Sequence, residues 1–235
     1  MPDCAPLHIE QHPSPNRDAR RGGAVPDILL LHFTNMLTAQ DAVERLCDPV
    51  AAVSCHYVIS EGGRVWQLVP EELRAWHAGL GRWGAVDEVN SRSIGIELAN
   101  QGNHPFPECQ MRVLETLMRG IMARWRIPPE RVIGHSDMAP HRKDDPGPRF
   151  DWRRLARQGL AIWPDTALTG AQDMGRFRAL ASSAGYGDEF SDAEVLKALR
   201  LRFRPWARGA LDETDIAIIA DIARRFPVDQ SAPSN

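Results

Sequence analysis

Apolar and polar residues alternate in a regular way between residues 27 and 163, and the pattern predicts strands separated by helices. Residues 27–33 (DILLLHF) form a continuous apolar stretch that is typical of a buried strand. Residues 93–99 (SIGIELA) alternate strictly, which predicts a strand with one apolar face and one face of small and polar side chains. The other predicted strands are residues 54–60 and 64–69, joined as a hairpin by EGG, and residues 131–134.

Two helical patterns lie between these strands. Thr38 is a predicted N-cap for a short helix, AQDAVERLC, and residues 108–126 carry an apolar stripe that stops before Pro128. A loop punctuated by glycine and proline follows residue 134 and leads into the helical pattern DWRRLARQG. Strands and helices in this order predict an α/β (α+β) fold, with a central mixed β-sheet flanked by helices.

The last part of the chain predicts a small bundle of three helices, at residues 171–184, 192–203 and 213–225. Ser191 and Glu194 have the spacing of a capping box. Its small core is predicted from Leu196, Leu199, Leu201 and Phe203. We therefore predict two units, a domain at residues 1–164 and a helical module at residues 165–235.

Composition and charge exclude several kinds of partner. The chain has 235 residues, a formal net charge of −3 and a pI near 6.2, so no basic field is available for nucleic acid or for an anionic membrane. The N-terminal segment contains no apolar stretch of the kind found in a secretory leader. Four widely spread cysteines without a CxxC pair predict reduced thiols, with Cys55 in the core. We expect a monomer in the cytoplasm, or in the periplasm if the true start lies upstream.

Eight histidines are present, and most are expected to be ordinary polar residues. That interpretation applies to the four in polar loop sequence, His8, His12, His104 and His141. His32 and His135 differ, because each directly follows a short apolar strand. Parallel strands deliver such residues to the carboxyl edge of a sheet, where two imidazoles can converge.

The loop after His135 offers an oxygen ligand that would complete a metal site. Asp137, Asp144 and Asp145 are all candidates, and the residues alone do not choose among them. A catalytic zinc site uses three protein ligands of nitrogen or oxygen type and leaves a position for water. The sequence thus predicts Zn²⁺ bound by His32, His135 and one aspartate.

Two charged residues are candidates for catalysis beside this metal. Glu97 lies on the polar face of its predicted strand, where a carboxylate needs either a salt-bridge partner or a function. Beside a zinc site it is a natural general base. Lys143 and Lys197 are the only lysines in a chain that otherwise uses arginine, which hints that Lys143 supplies a compact positive charge for an oxyanion.

Four segments between residues 29 and 152 resemble the type 2 N-acetylmuramoyl-L-alanine amidases, the family of the AmpD and AmiD enzymes, which is related to the peptidoglycan recognition proteins. The segments are LLLHFTNM, SCHYVISEGGRVWQLVPEELRAWHAG, NSRSIGIELAN and VIGHSDMAPHRKDDPGPRFDW. The resemblance implies a zinc amidase that cuts peptidoglycan fragments (muropeptides) between the muramoyl lactyl group and L-alanine, in cell-wall recycling.

The resemblance also implies a role for particular residues. It places the third zinc ligand on Asp145, the catalytic glutamate on Glu97 and the transition-state lysine on Lys143. His56, Trp76 and His77 would line the muropeptide groove. Phe33 and Asn35 depart from the family pattern next to His32. The C-terminal segments AGYGDEF and ALRLRFRPWARGALDE resemble a three-helix peptidoglycan-binding module, with a structural cap as the alternative.

Three other functions compete with a recycling amidase. One is a non-catalytic peptidoglycan-binding module, which the complete set of ligands together with Glu97 and Lys143 argues against. Another is an exported amidase that remodels the cell wall. A zinc protease acting on ordinary peptides is disfavoured, because the chain contains no HExxH motif.

Overall fold

A six-stranded mixed sheet forms the centre of the protein, in a computed structural model that describes residues 7–165 and 174–228. The strand order is β1-β5-β4-β7-β3-β8, and β2 pairs with β6 in a separate small sheet. The strands are β1 (Ile9–Gln11), β2 (Arg17–Ala19), β3 (Ile28–Phe33), β4 (Tyr57–Ile59), β5 (Val65–Gln67), β6 (Leu73–Ala75), β7 (Ser93–Leu98) and β8 (Val132–Gly134). The predicted α+β class with a mixed sheet is confirmed.

Helices cover both faces of this sheet. They are α1 (Ala39–Cys47), α2 (Val89–Arg92), α3 (Glu108–Trp125), α4 (His135–Met138), α5 (Trp152–Ala156), α6 (Phe177–Ser183), α7 (Asp192–Phe203) and α8 (Glu213–Arg225). The predicted N-cap Thr38 forms a capping box with Asp41, and the predicted capping box of Ser191 with Glu194 also forms. Short α4 lies in the segment after residue 134 for which the glycine and proline pattern predicts a loop.

The central strands sort their side chains to two cores by strict alternation. Leu29 and Leu31 of β3 join the apolar face of β7 and the buried stripe of α3 in one cluster. Ile28 and Leu30 point to the opposite face, where they join a cluster that includes residues of α6, α7 and α8. The C-terminal helices thus cover one face of the sheet and share its core.

Some local predictions differ from the structure. In α7 the fully buried side chains include Val195 and Ala198 beside Leu199 and Phe203, whereas Leu201 is only half-buried. Three strands were missed, β1, β2 and β6, each of three residues, because so short a segment carries almost no periodic signal. The first residues of the predicted helix 171–184 lie outside the described part of the chain.

The described cysteines differ in whether they are free or disulfide-bonded. Cys55 is fully buried as predicted, and Cys47 is also a free thiol. The prediction of reduced thiols is wrong for Cys109, which is disulfide-bonded. A missing CxxC pair excludes only a local bridge, because folding brings distant cysteines together. Cys4 lies outside the described residues.

Candidate active site

A cleft of about 460 Å³ opens at the carboxyl edge of the sheet. Among the residues that line it are His32, Trp76, His77, Glu97, His135, Lys143 and Asp145. These are all the predicted site residues except His56. Within the described residues, no helix is long and apolar enough to cross a membrane.

The strand order explains why three distant residues meet here. Strand β3 lies between β7 and β8 and is parallel to both, so the three carboxyl ends stand side by side. His32 is the register partner of Glu97 across β3 and β7. His135 comes directly after β8, at the first position of α4. The sheet alone therefore brings both imidazoles and one carboxylate to the same edge.

Three side-chain atoms that could bind a metal ion converge at the centre of the cleft. His32 Nδ1 lies 2.9 Å from His135 Nδ1 and 2.9 Å from Asp145 Oδ2, and His135 Nδ1 lies 3.1 Å from the same oxygen. Ligands of a tetrahedral zinc ion, with bonds of about 2.0–2.1 Å, are about 3.3 Å apart. The three side chains therefore fit around one divalent ion with little adjustment.

Hydrogen bonds behind the ligands fix the tautomer of each imidazole. His135 Nε2 donates to the carbonyl of Ala78 at 2.9 Å, which leaves the lone pair on Nδ1. His32 Nε2 donates to His77 Nδ1 at 3.1 Å, with the same result for His32. In its turn, His77 Nε2 donates to Ser93 Oγ at 3.3 Å, and this hydroxyl donates to the Val89 carbonyl. Outer contacts of this kind orient metal-binding histidines.

The electrostatics of the cluster favour the protonation states that bind metals. Burial lowers the pKa of His32 to about 4, although the nearby Asp145, which would accept a hydrogen bond from the protonated ring, opposes the shift. Burial would raise the pKa of Asp145, but the charge and hydrogen bonds that His135 and His32 offer when protonated outweigh it and hold that pKa well below its usual range. A neutral imidazole and an ionised carboxylate are the ligand forms.

The other two candidate aspartates have different surroundings. Asp137 is fully buried and accepts hydrogen bonds from Gly134 N and Arg202 Nη1, away from the ligand cluster. Asp144 is exposed and pairs with Lys197. Only Asp145 reaches both imidazoles, which is the choice that the family resemblance implied.

A second group of possible metal ligands shares His32, with Cys55 and His77. It is the poorer set, because burial raises the pKa of the Cys55 thiol well above its usual range, and a thiol binds metal as the thiolate. His77 Nδ1 also already accepts the His32 proton. The described residues therefore favour the set with His135 and Asp145.

Glu97 lies beside this cluster with a free oxygen. Its Oε2 is buried and has no hydrogen-bond partner among the described residues. Burial, helped by the charge of Asp145, raises the pKa of Glu97 to about 8, and Lys143 partly offsets the shift. A carboxylate with a raised affinity for protons is suited to general-base work near neutral pH.

The predicted groove residues differ in their surroundings. His56 is fully buried behind the cleft, where its Nδ1 accepts from Gly95 N and its Nε2 donates to the Leu73 carbonyl. Trp76 lines the cleft, with its indole N–H donated to Asp18. The roles of His56, Trp76 and His77 toward substrate remain predictions.

Ser93 and Gly95 were missed as parts of the site. Both lie on the same face of β7 as Glu97, and this shared face was the only signal that the sequence carried for them. Ser93 anchors His77, and Gly95 leaves space for its ring, since a Cβ at that position would lie 2.6 Å from His77 Nδ1.

The mixed sheet and a His–His–Asp cluster beside a glutamate with a buried carboxylate oxygen define a candidate metal-dependent hydrolase. The family profile described as N-acetylmuramoyl-L-alanine amidase matches residues 22–148. The chain therefore belongs to the N-acetylmuramoyl-L-alanine amidase family, as the sequence predicted.

Several relatives support this assignment. The N-acetylmuramoyl-L-alanine amidase AmiD of Escherichia coli is 41% identical over 157 residues, which are 59% of this chain and 55% of AmiD, so the alignment spans about half of that relative. The 1,6-anhydro-N-acetylmuramyl-L-alanine amidase AmpD of Enterobacter cloacae is 34% identical over 61% of this chain and 86% of that protein.

Solved structures extend the likeness to the C-terminal helices. The complex of E. coli AmiD with anhydro-N-acetylmuramic acid-L-Ala-D-gamma-Glu-L-Lys has a TM-score of 0.79 and 33% identity, and covers 91% of this chain and 94% of that one. AmpDh3 of Pseudomonas aeruginosa in complex with an anhydromuramic pentapeptide has a TM-score of 0.79 and 30% identity, over 90% and 96% of the two chains.

Proposed function

We propose that this protein is a zinc-dependent amidase that hydrolyses the bond between the muramoyl lactyl group and L-alanine in peptidoglycan fragments. The observation that carries the proposal is the convergence of His32, His135 and Asp145 next to Glu97. The anhydromuramic peptides bound by AmiD and AmpDh3 support the choice of substrate class. Cell-wall recycling is the proposed setting.

In this proposal His32, His135 and Asp145 hold the ion. When bound, zinc supplies a Lewis acid that makes water more acidic and polarises a carbonyl oxygen. Glu97 accepts a proton from the attacking water at its free Oε2 and delivers it to the leaving alanine nitrogen. Lys143 lines the same cleft, and its ammonium stabilises the negative charge on the former carbonyl oxygen.

A single substitution tests the role of Glu97. Glu97→Gln keeps the shape of the side chain and removes the base, so we expect cleavage of an anhydromuramyl tripeptide to fall by about 10²- to 10⁴-fold. Product is measured by chromatography. Glu61→Gln, in the exposed turn between β4 and β5, is the matched control and should cleave like the wild type. A Glu97→Gln protein with an undiminished rate would refute this role.

Metal removal tests the ion itself. Dialysis against a chelator should abolish cleavage, and added Zn²⁺ should restore it. If the untreated protein binds the fragment without releasing any product, the non-catalytic binding module is correct instead. If it cleaves a plain alanyl peptide as fast as the muramoyl peptide, the protein is a peptidase.

An exported wall-remodelling amidase is the second candidate, and one observation favours it. Cys109 is disulfide-bonded, and disulfides persist mainly in oxidising compartments. The sequence itself predicted a cytoplasmic enzyme. Fractionation of the native cells, with thiol labelling of the recovered protein, separates the two: a cytoplasmic protein with Cys109 reduced excludes export.

A further inference from the structure

The C-terminal helices contact the segment that carries one of the metal ligands. Arg202, near the end of α7, places Nη1 2.8 Å from Asp137 Oδ2, two residues past His135. Tyr186, in the turn between α6 and α7, donates its hydroxyl to Asp137 Oδ1 at 3.1 Å. Both oxygens of this aspartate are therefore held by the C-terminal part of the chain.

Asp137 connects these C-terminal side chains to the backbone at the start of α4, the helix that begins with His135. Its Oδ2 also accepts from Gly134 N at 2.8 Å, directly before His135, and this bond holds the start of α4. In the same helix, Ser136 N donates to the Asp145 carbonyl at 2.9 Å. The position of α4 thus determines where two ligands lie, whereas His32 is held by β3.

These contacts are buried, so the loss of either charged partner would leave the other charge uncompensated. Asp137 is fully buried and Arg202 is 4% exposed, so each charge depends on the other for compensation. Arg202 Nη2 donates to the Val132 carbonyl at 2.9 Å, and its guanidinium lies 4.3 Å from the ring centroid of Trp152. Burial and the charge of Asp137 raise the pKa of Tyr186 well above its usual range, so its hydroxyl remains a donor.

We propose that Arg202 and Tyr186 are positioning residues of the metal site, which hold His135 and Asp145 in the geometry for metal binding through Asp137. The C-terminal helices then act as part of the active site's support. This inference rests on the proposed function, because it concerns the same ion.

The experiment measures the zinc affinity of the full-length protein by competition with a chromophoric chelator. Arg202→Met removes both the ion pair and the bond to Val132, and we expect an affinity about 10- to 100-fold lower, as for other contacts behind metal ligands. Tyr186→Phe removes a single hydroxyl and should give a smaller loss. Excess Zn²⁺ should restore cleavage in both variants, unlike in Glu97→Gln.

Arg200→Met is the matched control. Arg200 lies two residues before Arg202 on the same helix and is also buried, but it pairs with Asp215 and bonds the carbonyls of Gly209 and Ala210, all within the C-terminal part of the chain. We expect it to lower the melting temperature and to leave zinc affinity at its wild-type value.

Each outcome decides the inference. Unchanged zinc affinity in Arg202→Met and Tyr186→Phe would overturn it, and so would an equal loss in Arg200→Met, which would mean general destabilisation. If Arg202→Met does not fold, Tyr186→Phe decides alone. A wild-type protein that binds no zinc would instead refute the proposed function from which the inference starts.

Discussion

At the scale of single residues, a chain of hydrogen bonds behind His32 sets which of its ring nitrogens carries the proton. The proton on His32 Nε2 is donated to His77, and His77 in turn donates to Ser93. If His77 were held in another orientation, the proton on His32 could move to Nδ1, the atom proposed to bind the metal. Gly95 protects this arrangement because it leaves space for the His77 ring.

Gly95→Ala tests this arrangement. The added methyl would lie 2.6 Å from His77 Nδ1, and the ring must move away. We expect the free energy of unfolding to fall by about 1–3 kcal/mol, as in other overpacked sites, together with a lower zinc affinity. Urea unfolding and chelator competition measure the two effects.

Gly120→Ala is the control, since the same substitution there should raise the free energy of unfolding instead of lowering it. Gly120 is exposed within α3, and a Cβ there meets only the end of the Arg124 side chain at 3.7 Å. Alanine is the better helix former, so stability should rise by up to about 1 kcal/mol with zinc affinity unchanged. Equal effects of the two substitutions would contradict the steric argument.

At the scale of the elements, capping side chains define where several helices begin, as at α1, α7 and α8. Asp212 caps α8 by accepting hydrogen bonds from Thr214 N and Asp215 N, and it also binds the guanidinium of Arg204. The bond to Arg204 is the main reason why the pKa of Asp212 is lowered to about 2. One carboxylate thus joins α8 to the residue that follows α7.

Two substitutions separate the cap from the ion pair. Asp212→Ala removes both and should cost about 0.5–2 kcal/mol at neutral pH, while Asp212→Asn keeps an efficient cap. Because folding lowers this pKa, its stabilisation is fully present above about pH 4 and is lost as the pH falls through about 2. Asp212→Asn should therefore show a weaker loss of stability over this range in urea titrations. An unchanged pH profile would exclude the ion pair as a contributor.

At the scale of the whole molecule, the C-terminal helices and the sheet share one hydrophobic cluster. Phe177 of α6 and Phe203 of α7 belong to the same cluster as Ile28 and Leu30 of β3. A module that merely follows the catalytic domain would have its own core. Because the core is shared, we expect the two parts to unfold together.

Phe177→Ala tests this coupling. The side chain is 2% exposed, and its removal should cost about 3–5 kcal/mol. We expect the protein to unfold in one calorimetric transition, which this substitution moves as a whole to lower temperature. Two transitions, of which only one moves, would show that residues 174–228 fold independently.

Two of the three proposed metal ligands could be predicted from the sequence, because they lie at strand ends. His32 is near the carboxyl end of β3 and His135 directly follows β8, and parallel strands bring such positions to one edge. Asp145 could not be chosen by this reasoning, since three aspartates share a loop whose path no periodicity describes. Family resemblance made the choice, and Asp145 is the one of the three whose carboxylate lies within 3.1 Å of both imidazoles.

What the sequence by itself determined is therefore local: the alternation that forms β3 and β7, the caps of α1 and α7, and the family to which the chain belongs. Tertiary structure alone decided the bridge at Cys109, the role of His77 behind His32, and the contact of Arg202 with Asp137. The physical reason is range. Periodicity and capping act between residues a few positions apart, whereas these contacts join distant segments and exist only once the layers have packed.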